Sequence, residues 1–228
     1  MNFREAERVQ RSLLSSIEKK VLLWLACRAP AWVTPDHLTI LGLVSMLVAG
    51  AAYAVADSMP SALHLVNVCL ALNWLGDSLD GTLARVRQRL RPRYGFYVDH
   101  MVDAFSALFL LGGLALSGLM TERVALLLLL AFLLLAVNSY LATYTLGTFR
   151  ISYSIFSPTE ARILLAVGNL WAVGHPVVRL FGREYLFFDL AGQVAIPCMF
   201  AVLLISIVQN TRALYRAEPL PRATEEGS

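Results

Sequence analysis

The chain has 228 residues, of which 57% are hydrophobic and 15% are charged, and its mean hydropathy is +0.62. This composition is too apolar for an ordinary soluble domain and indicates a membrane protein that crosses the bilayer several times. A net charge of +3 is too small to indicate a nucleic-acid partner, and the three cysteines lack metal-ligand spacing.

The N-terminal segment has the pattern of a helix that lies in the membrane interface. Apolar residues recur every three or four positions from Phe3 to Trp24, while most basic residues fall on other faces. We therefore expect an amphipathic interfacial helix within residues 1–30.

Six apolar stretches follow, each close to the roughly 20 residues that a helix needs to cross a bilayer. They lie at residues 37–57, 61–79, 96–118, 123–147, 159–176 and 186–209. The sequence therefore predicts an all-α integral membrane protein with one six-helix membrane domain over residues 31–212. The polar residues 213–228, which are interrupted by prolines, predict a disordered cytosolic tail.

Basic residues are distributed unevenly among the segments that join these stretches. Of the 19 lysines and arginines, all but Arg123, Arg179 and Arg183 fall on one side of the predicted bundle. Because positive charge accumulates in cytoplasmic segments, we expect both termini and the acidic residues described next to face the cytoplasm. The expected location of the protein is the cell (inner) membrane.

Two pairs of aspartates stand at the ends of apolar stretches, where ionised side chains are costly. Asp77 and Asp80 are three residues apart on one predicted helix, and Asp99 and Asp103 are four apart on the next, so each pair shares a helix face. Two such helices facing each other would bring the four carboxylates together. Like charges at close range disfavour joint ionisation, so the pattern predicts bound cations.

The chemistry of these ligands indicates a hard metal ion. Carboxylate oxygens favour Mg²⁺ or Mn²⁺, and two ions about 3.5 to 4 Å apart suit phosphoryl transfer. Arg85 offers a guanidinium for a diphosphate. We leave His100 out of the ligand set, because on a helix it should point about 100° away from Asp99. The alternative, that the aspartates only pair with loop arginines, does not account for their matched helical spacing with glycine, alanine and arginine.

Residues 77–103 resemble the signature of the CDP-alcohol phosphotransferase family, D-x2-D-G-x2-A-R-x8-G-x3-D-x3-D. Every fixed residue type is present, and the departure is a spacer of nine residues instead of eight between Arg85 and Gly95. Residues 34–39 resemble the family's T-P-N-x-L-T motif before its first span, with Asp36 in place of the usual asparagine. Residues 157–160 resemble a short motif at its fifth span.

The resemblance implies a six-helix membrane fold, commonly a homodimer, whose cytosolic cavity holds a CDP-linked alcohol and two metal ions. By position, Asp77, Asp80 and Asp99 would hold the first ion. Asp77, Asp99 and Asp103 would hold the second, and Asp103 would also be the general base that takes the proton from the incoming hydroxyl. Attack of that hydroxyl on the transferred phosphorus would then release CMP.

The same resemblance implies which residues contact the CDP-alcohol. Gly81 would let the nucleotide approach the backbone, Arg85 would bind the diphosphate, and Asp77 would lie beside them. Asp36 and Thr39 would touch the cytidine end.

Three further arginines are candidates for binding an acceptor phosphate, namely Arg93, Arg150 and Arg162. Their cytoplasmic position in the predicted topology explains them equally well. Asn73, one helical turn before Asp77, is interpreted as a residue that bonds between helices, as polar groups in membrane spans usually do.

The expected function is metal-dependent transfer of a phosphatidyl group from CDP-diacylglycerol to a small alcohol acceptor, with release of CMP, in phospholipid biosynthesis. The Asp99-His100 pair resembles a branch that uses CDP-choline or CDP-ethanolamine with diacylglycerol as acceptor, which is the alternative. An alternative of another class is an ion-coupled transporter with intramembrane carboxylates. Its carboxylates should lie near the bilayer midplane, often at broken helices.

Overall fold

The computed structural model describes residues 15–146 and 158–218, and within these ranges it is helical with one short hairpin. The helices are α1 (Ser15–Arg28), α2 (Pro35–Ala54), α3 (Ala62–Val86), α4 (Pro92–Leu116), α5 (Glu122–Leu146), α6 (Pro158–Ala172) and α7 (Phe187–Ala217). Residues 1–14 of the predicted interfacial helix, Arg150, Ser157 and residues 219–228 of the tail lie outside the described residues.

Four helices are long and apolar enough to cross a membrane: α2, α4, α5 and α7. By length and composition the chain is therefore a membrane protein. Charged residues near the end of α3, Asp77, Asp80 and Arg85, lower its hydropathy, and α6 has 15 residues, fewer than the roughly 20 of a full span. The six predicted crossings thus stay a prediction.

A two-stranded antiparallel hairpin, which the sequence analysis did not predict, joins α6 to α7. Its strands are β1 (Val177–Leu180) and β2 (Arg183–Leu186). Phe181 and Gly182 form the turn with φ of 51° and 76°, as a tight hairpin turn requires. The predicted fifth apolar stretch therefore ends as helix at Ala172, before Gly174 and the hairpin.

The start of α2 is set by residues of the T-P-D-H segment. Thr34 lies outside the helix, and its hydroxyl accepts a hydrogen bond from the His37 backbone N–H at 3.2 Å. His37 Nδ1 accepts from the Thr34 backbone N–H at 3.3 Å, and Pro35 occupies the first helical position. This reciprocal cap satisfies two backbone donors and orients the first turn of α2.

Helix α2 crosses α3 and α4 at glycines. A Cβ atom on Gly76 of α3 would lie 2.5 Å from the Leu38 carbonyl oxygen, and one on Gly113 of α4 would overlap the Gly50 backbone of α2. Small residues at such crossings let helix backbones approach closely. Through these contacts α2 holds the acidic parts of α3 and α4 beside each other.

Buried polar side chains link α2, α3 and α6 within the bundle. The Tyr53 hydroxyl donates to Asn169 Oδ1 at 2.7 Å, and Asn169 Nδ2 donates to Asn67 Oδ1 at 2.7 Å. Asn67 Nδ2 donates in turn to the Ala166 carbonyl at 3.1 Å. Because unpaired polar groups are costly in an apolar interior, this chain of bonds fixes which side chains of the three helices meet.

Candidate functional site

The four aspartates of the sequence motif line one cavity. Its walls come from three helices: Thr39 and Gly42 of α2, Asn73, Asp77 and Asp80 of α3, and Asp99, Val102 and Asp103 of α4. The cavity volume is about 10 Å³, which suits one water-sized species. The expected convergence of two acidic helix faces is therefore present, and the third wall, from α2, completes it.

Asp80 is held in place by its neighbours on two helices. The Thr39 hydroxyl of α2 donates to Asp80 Oδ2 at 2.6 Å, and the Gly81 backbone N–H donates to Asp80 Oδ1. Both bonds orient the carboxylate toward the cavity. Thr39, predicted to touch the cytidine end of a nucleotide, thus also contacts a predicted metal ligand.

Arg162 of α6 reaches into the acidic cluster. Its Nη2 donates to Asp77 Oδ2 at 2.7 Å, and its Nε donates to Asn73 Oδ1 at 2.9 Å. Asn73 Nδ2 donates to the Gly42 carbonyl at 3.2 Å, so this asparagine holds both α2 and the arginine. The sequence alone explains Arg162 equally well by membrane topology and by an acceptor site, and it indicates only a packing role for Asn73.

The expectation that His100 points away from the cluster is wrong. His100 Nδ1 lies 3.5 Å from Asp99 Oδ2, and one ligand atom each of Asp99, His100 and Asp103 lie within 4.8 Å of one another. The ring is buried between Phe96, at a centroid distance of 4.1 Å, and Tyr140, at 4.5 Å. These aromatic contacts turn the imidazole toward its neighbour, which helical spacing by itself does not reveal.

The donor set fits a hard divalent cation. Four carboxylates supply the oxygen ligands that Mg²⁺ and Mn²⁺ prefer, around a cavity the size of one water molecule. Arg162 supplies one positive charge, so the cluster keeps an excess of negative charge that a divalent ion would compensate.

Asp36 forms an ion pair with a loop arginine. Arg91 Nη2 lies 2.7 Å from both carboxylate oxygens of Asp36, and the two side chains are 56% and 46% exposed. The hydrogen bond to Asp36 raises the pKa of Arg91, whose guanidinium also lies over the Tyr94 ring. This pair ties the loop between α3 and α4 to the start of α2, and the predicted contact between Asp36 and cytidine stays a prediction.

Gly81, Arg85 and Gly95 do not line the cavity, and Arg85 and Gly95 are exposed. Arg85 is exposed, and among the described residues it makes no ion pair. A Cβ on Gly81 would lie 3.7 Å from Arg85 Nη2, and one on Gly95 would meet nothing within 4 Å. Neither glycine is needed for helix packing, and Gly81 lies beside the arginine. Arg93 is also exposed and lines a shallow groove with Arg91 and Tyr94.

Known proteins resemble this chain, although no model of a known protein family matches it. An archaetidylinositol phosphate synthase from Pyrococcus horikoshii is 27% identical over 145 residues, which are 61% of this chain and 70% of the relative. The fold is similar to the crystal structure of Mycobacterium tuberculosis phosphatidylinositol phosphate synthase with CDP-DAG bound, with a TM-score of 0.56 and 20% identity. That similarity covers 93% of this chain and 99% of the other.

The helical fold with its shared carboxylate cavity defines the class of the protein as a helical membrane protein with an acidic candidate site. The motif from Asp77 to Asp103 resembles the signature of the CDP-alcohol phosphotransferase family, and the chain is similar in sequence to an archaetidylinositol phosphate synthase and in fold to a phosphatidylinositol phosphate synthase.

Proposed function

We propose that this chain transfers a phosphatidyl group from CDP-diacylglycerol to a hydroxyl acceptor, with release of CMP, in phospholipid biosynthesis. The observation that carries the proposal is the single cavity lined by Asp77, Asp80, Asp99 and Asp103. The two similar proteins support it, since one is an archaetidylinositol phosphate synthase and the other a phosphatidylinositol phosphate synthase with CDP-DAG bound.

The four aspartates would hold two ions of Mg²⁺ or Mn²⁺, for which the cavity of about 10 Å³ would have to widen. Asp77, Asp80 and Asp99 are assigned to one ion, and Asp77, Asp99 and Asp103 to the other. When bound, such ions stabilise the negative charge that develops on the attacking and leaving oxygens of a phosphoryl transfer.

The remaining steps are assigned to side chains of the chain itself. Asp103 accepts the proton of the acceptor hydroxyl, whose oxygen forms a bond to the phosphatidyl phosphorus while the bond from that phosphorus to the CMP oxygen breaks. Arg85, exposed at the end of α3, binds the diphosphate, and Gly81 lets the nucleotide approach the backbone. Asp36 and Thr39 are assigned to the cytidine end.

The acceptor is proposed to carry a negative charge. Arg162 is already at the cluster, and Arg93 is exposed at the start of α4, in a shallow groove with Arg91 and Tyr94. Guanidinium groups bind phosphate by two parallel hydrogen bonds, so an acceptor with a phosphate group fits these residues. Arg150 remains a candidate of the same kind.

We also propose six crossings, with α3 and α6 completing the set, in a membrane domain over residues 31–212 that forms a homodimer in the cell (inner) membrane. Exposed apolar residues along both helices support lipid contact: Leu65, Val68 and Leu72 on α3, and Ile163, Leu164, Val167 and Leu170 on α6. The excess of basic residues in the segments beside the site supports a cytoplasmic site.

An ion-coupled transporter is less consistent with this geometry. The aspartates lie within about three turns of the end of α3 and the start of α4, beside the loop that joins these helices. Carboxylates that carry ions across a bilayer are expected near the midplane and at broken helices, whereas α3 and α4 are continuous through the acidic positions.

The test measures CMP release by the purified protein in detergent, from CDP-diacylglycerol, with Mg²⁺ or Mn²⁺. The acceptors are serine, glycerol 3-phosphate, inositol and inositol phosphate, with Asp103→Asn as the inactive variant and Asp57→Asn, an exposed aspartate far from the cavity, as the matched control. Metal-dependent release that Asp103→Asn loses by at least about 10²-fold, the usual size of general-base catalysis, supports the proposal.

Other outcomes redirect or reject it. Release only from CDP-choline or CDP-ethanolamine with diacylglycerol would assign the chain to that alternative branch. Metal-dependent release that survives in Asp103→Asn would remove Asp103 from the role of base. No release from any CDP-alcohol would reject the transferase.

A further inference from the structure

Glu18 of α1 accepts hydrogen bonds from two other helices through one carboxylate oxygen. Its Oε1 lies 2.8 Å from Trp74 Nε1 and 3.4 Å from the Ser78 hydroxyl, both on α3. The same oxygen lies 3.2 Å from the Thr159 hydroxyl of α6. The side chain is half-buried, so one acceptor joins α1, α3 and α6 at a single junction.

The face of α1 that carries Glu18 is held against α3 by apolar contacts. Leu22 and Ala26 follow Glu18 at intervals of four residues and therefore lie on the same face. Both are buried in a cluster with Leu79 and Leu83 of α3. Helix α1 cannot turn Glu18 away from α3 without separating these side chains from Leu79 and Leu83.

Helix α3 presents two neighbouring stripes to its two partners. Trp74 and Ser78 bind the carboxylate of α1, while Asn73 and Asp77 bind the guanidinium of α6. Each pair spans about one helical turn, and the pairs are offset by one residue, which is about 100° around the helix. The α1 junction therefore lies directly beside the contact that involves a predicted metal ligand.

Helix α6 takes part in both contacts through its first two turns. Thr159 and Arg162 are three residues apart and project from the same face. Thr159 reaches Glu18, and Arg162 reaches Asp77. Loss of the Thr159 bond would therefore loosen the same turns of α6 that carry the arginine.

We propose that Glu18 is a positioning residue, which holds the start of α6 against α3 in the register at which Arg162 binds Asp77. Its effect on catalysis rests on the proposed phosphatidyl transfer, whereas its effect on helix register does not. Through Glu18, the docking of α1 controls the direction of the Asp77 carboxylate without any contact between α1 and substrate.

The test uses the full-length protein in detergent and the variants E18A, E18Q and T159V. Lys19→Ala is the matched control, because Lys19 is the exposed neighbour of Glu18 on α1. We expect E18A to lower kcat for CMP release by about tenfold, since a misplacement of about 1 Å can cost 10²-fold. The KM for CDP-diacylglycerol should stay unchanged. E18Q should restore most of kcat, because its amide oxygen accepts the same hydrogen bonds.

The double variant E18A/T159V separates helix register from general destabilisation. If Thr159 acts through Glu18, the double variant has the same kcat and the same melting temperature as E18A. The effects of substitutions at two contacting residues are generally not additive. Additive losses, a wild-type kcat in E18A, or an equal loss in Lys19→Ala would each overturn the proposal.

Melting temperatures test the role of Glu18 independently of the proposed function, because they require no enzymatic activity. If the wild-type protein releases no CMP, the proposed function fails, yet the coupling between Glu18 and Thr159 is still measured by thermal unfolding. Independent effects of E18A and T159V on the melting temperature would then overturn the proposed helix register.

Discussion

Arg162 brings a positive charge to the acidic cluster. Its guanidinium binds Asp77 and Asn73, and its side chain is only 18% exposed. A metal ion that binds Asp77 must share this carboxylate with Arg162 or displace the arginine from it. At the scale of single residues, the Arg162 guanidinium and a metal ion therefore compete to compensate the charge of Asp77.

This competition predicts the behaviour of Arg162→Ala. Without metal, Asp77 loses its counter-charge, and leaving such a group unpaired should lower the free energy of unfolding by about 1 to 3 kcal/mol. Mg²⁺ should then raise the melting temperature more in the variant than in the wild type, because it replaces the lost charge. Thermal unfolding with chelator measures the loss of stability without metal, and thermal unfolding with Mg²⁺ measures the metal-induced rise in melting temperature. Equal Mg²⁺-induced shifts in the two proteins would contradict the prediction, and Arg93→Ala, at an exposed position in the first turn of α4, is the control.

His100 leads to a second prediction, since its ring nitrogen faces Asp99 while its ring stacks on Tyr140. His100→Phe keeps an aromatic ring but removes the nitrogen. We expect the dissociation constant for Mn²⁺ to rise by about tenfold, within the range of 10- to 100-fold for partners of metal ligands, with little change in melting temperature. A Mn²⁺ titration measures the dissociation constant, with Tyr140→Phe as the control. An unchanged dissociation constant would mean that His100 only packs.

At the scale of elements, the site depends on how closely α2 approaches α3 and α4. The glycines at these crossings, Gly76 and Gly113, leave no space for a side chain. A residue that separates the helices would also move the aspartates of α3 away from those of α4. The geometry of the cavity is thus a consequence of helix crossings that lie outside it.

Adjacent glycines on α4 provide a matched test of this dependence. Gly113→Ala places a Cβ against the Gly50 backbone, whereas Gly112→Ala meets nothing within 4 Å. We expect Gly113→Ala to lower the free energy of unfolding by about 1 to 3 kcal/mol through overpacking. Gly112→Ala should be neutral or stabilising by up to about 1 kcal/mol, because alanine favours the helix. Thermal unfolding in detergent compares them, and equal melting temperatures would argue against a tight crossing.

Element boundaries followed from the sequence only where local signals were strong. The long apolar runs predicted helices at the positions of α2, α4, α5 and α7. The hairpin of β1 and β2 was missed because its residues are few, and its pairing depends on a turn at Phe181 and Gly182 that has no asparagine-glycine or aspartate-glycine signal. The cap of α2 was missed because His37 replaces the usual glutamate or glutamine.

At the scale of the whole molecule, the number of crossings determines on which side the site lies. If α3 and α6 cross with the other helices, the loop between α3 and α4 and the β1–β2 hairpin lie on opposite sides of the membrane. If only the four candidate spans cross, both lie on the same side. The two topologies therefore differ in whether the loop between α3 and α4 and the hairpin are accessible from the same side of the membrane, which can be measured directly.

Single cysteines at Arg89 and Phe181 distinguish these topologies. Both positions are exposed, Phe181 by 98%, and the native Cys27, Cys69 and Cys198 would first be replaced. We expect a membrane-impermeant maleimide, added to right-side-out vesicles, to label the cysteine at 181 but not the one at 89. Labelling of both from one side would reject six crossings. Inverted vesicles provide the reciprocal control.

The sequence by itself determined the membrane character, the helical class and the acidic constellation, because these depend on composition and on spacing within single helices. Asp77, Asp80, Asp99 and Asp103 could be assigned to shared faces from a period of 3.6 residues alone. Their family resemblance depends on the same local spacing.

Only the tertiary structure decided which side chains of other elements meet on and around the acidic helices. Arg162 is 85 residues from Asp77, and Glu18 is 60 from Ser78 and 141 from Thr159, distances along the chain that no helical period relates. His100 turned toward Asp99 because Phe96 and Tyr140 enclose its ring. The physical reason is common to all of them: these contacts depend on how helices cross at glycines and on which polar groups then meet in an apolar interior.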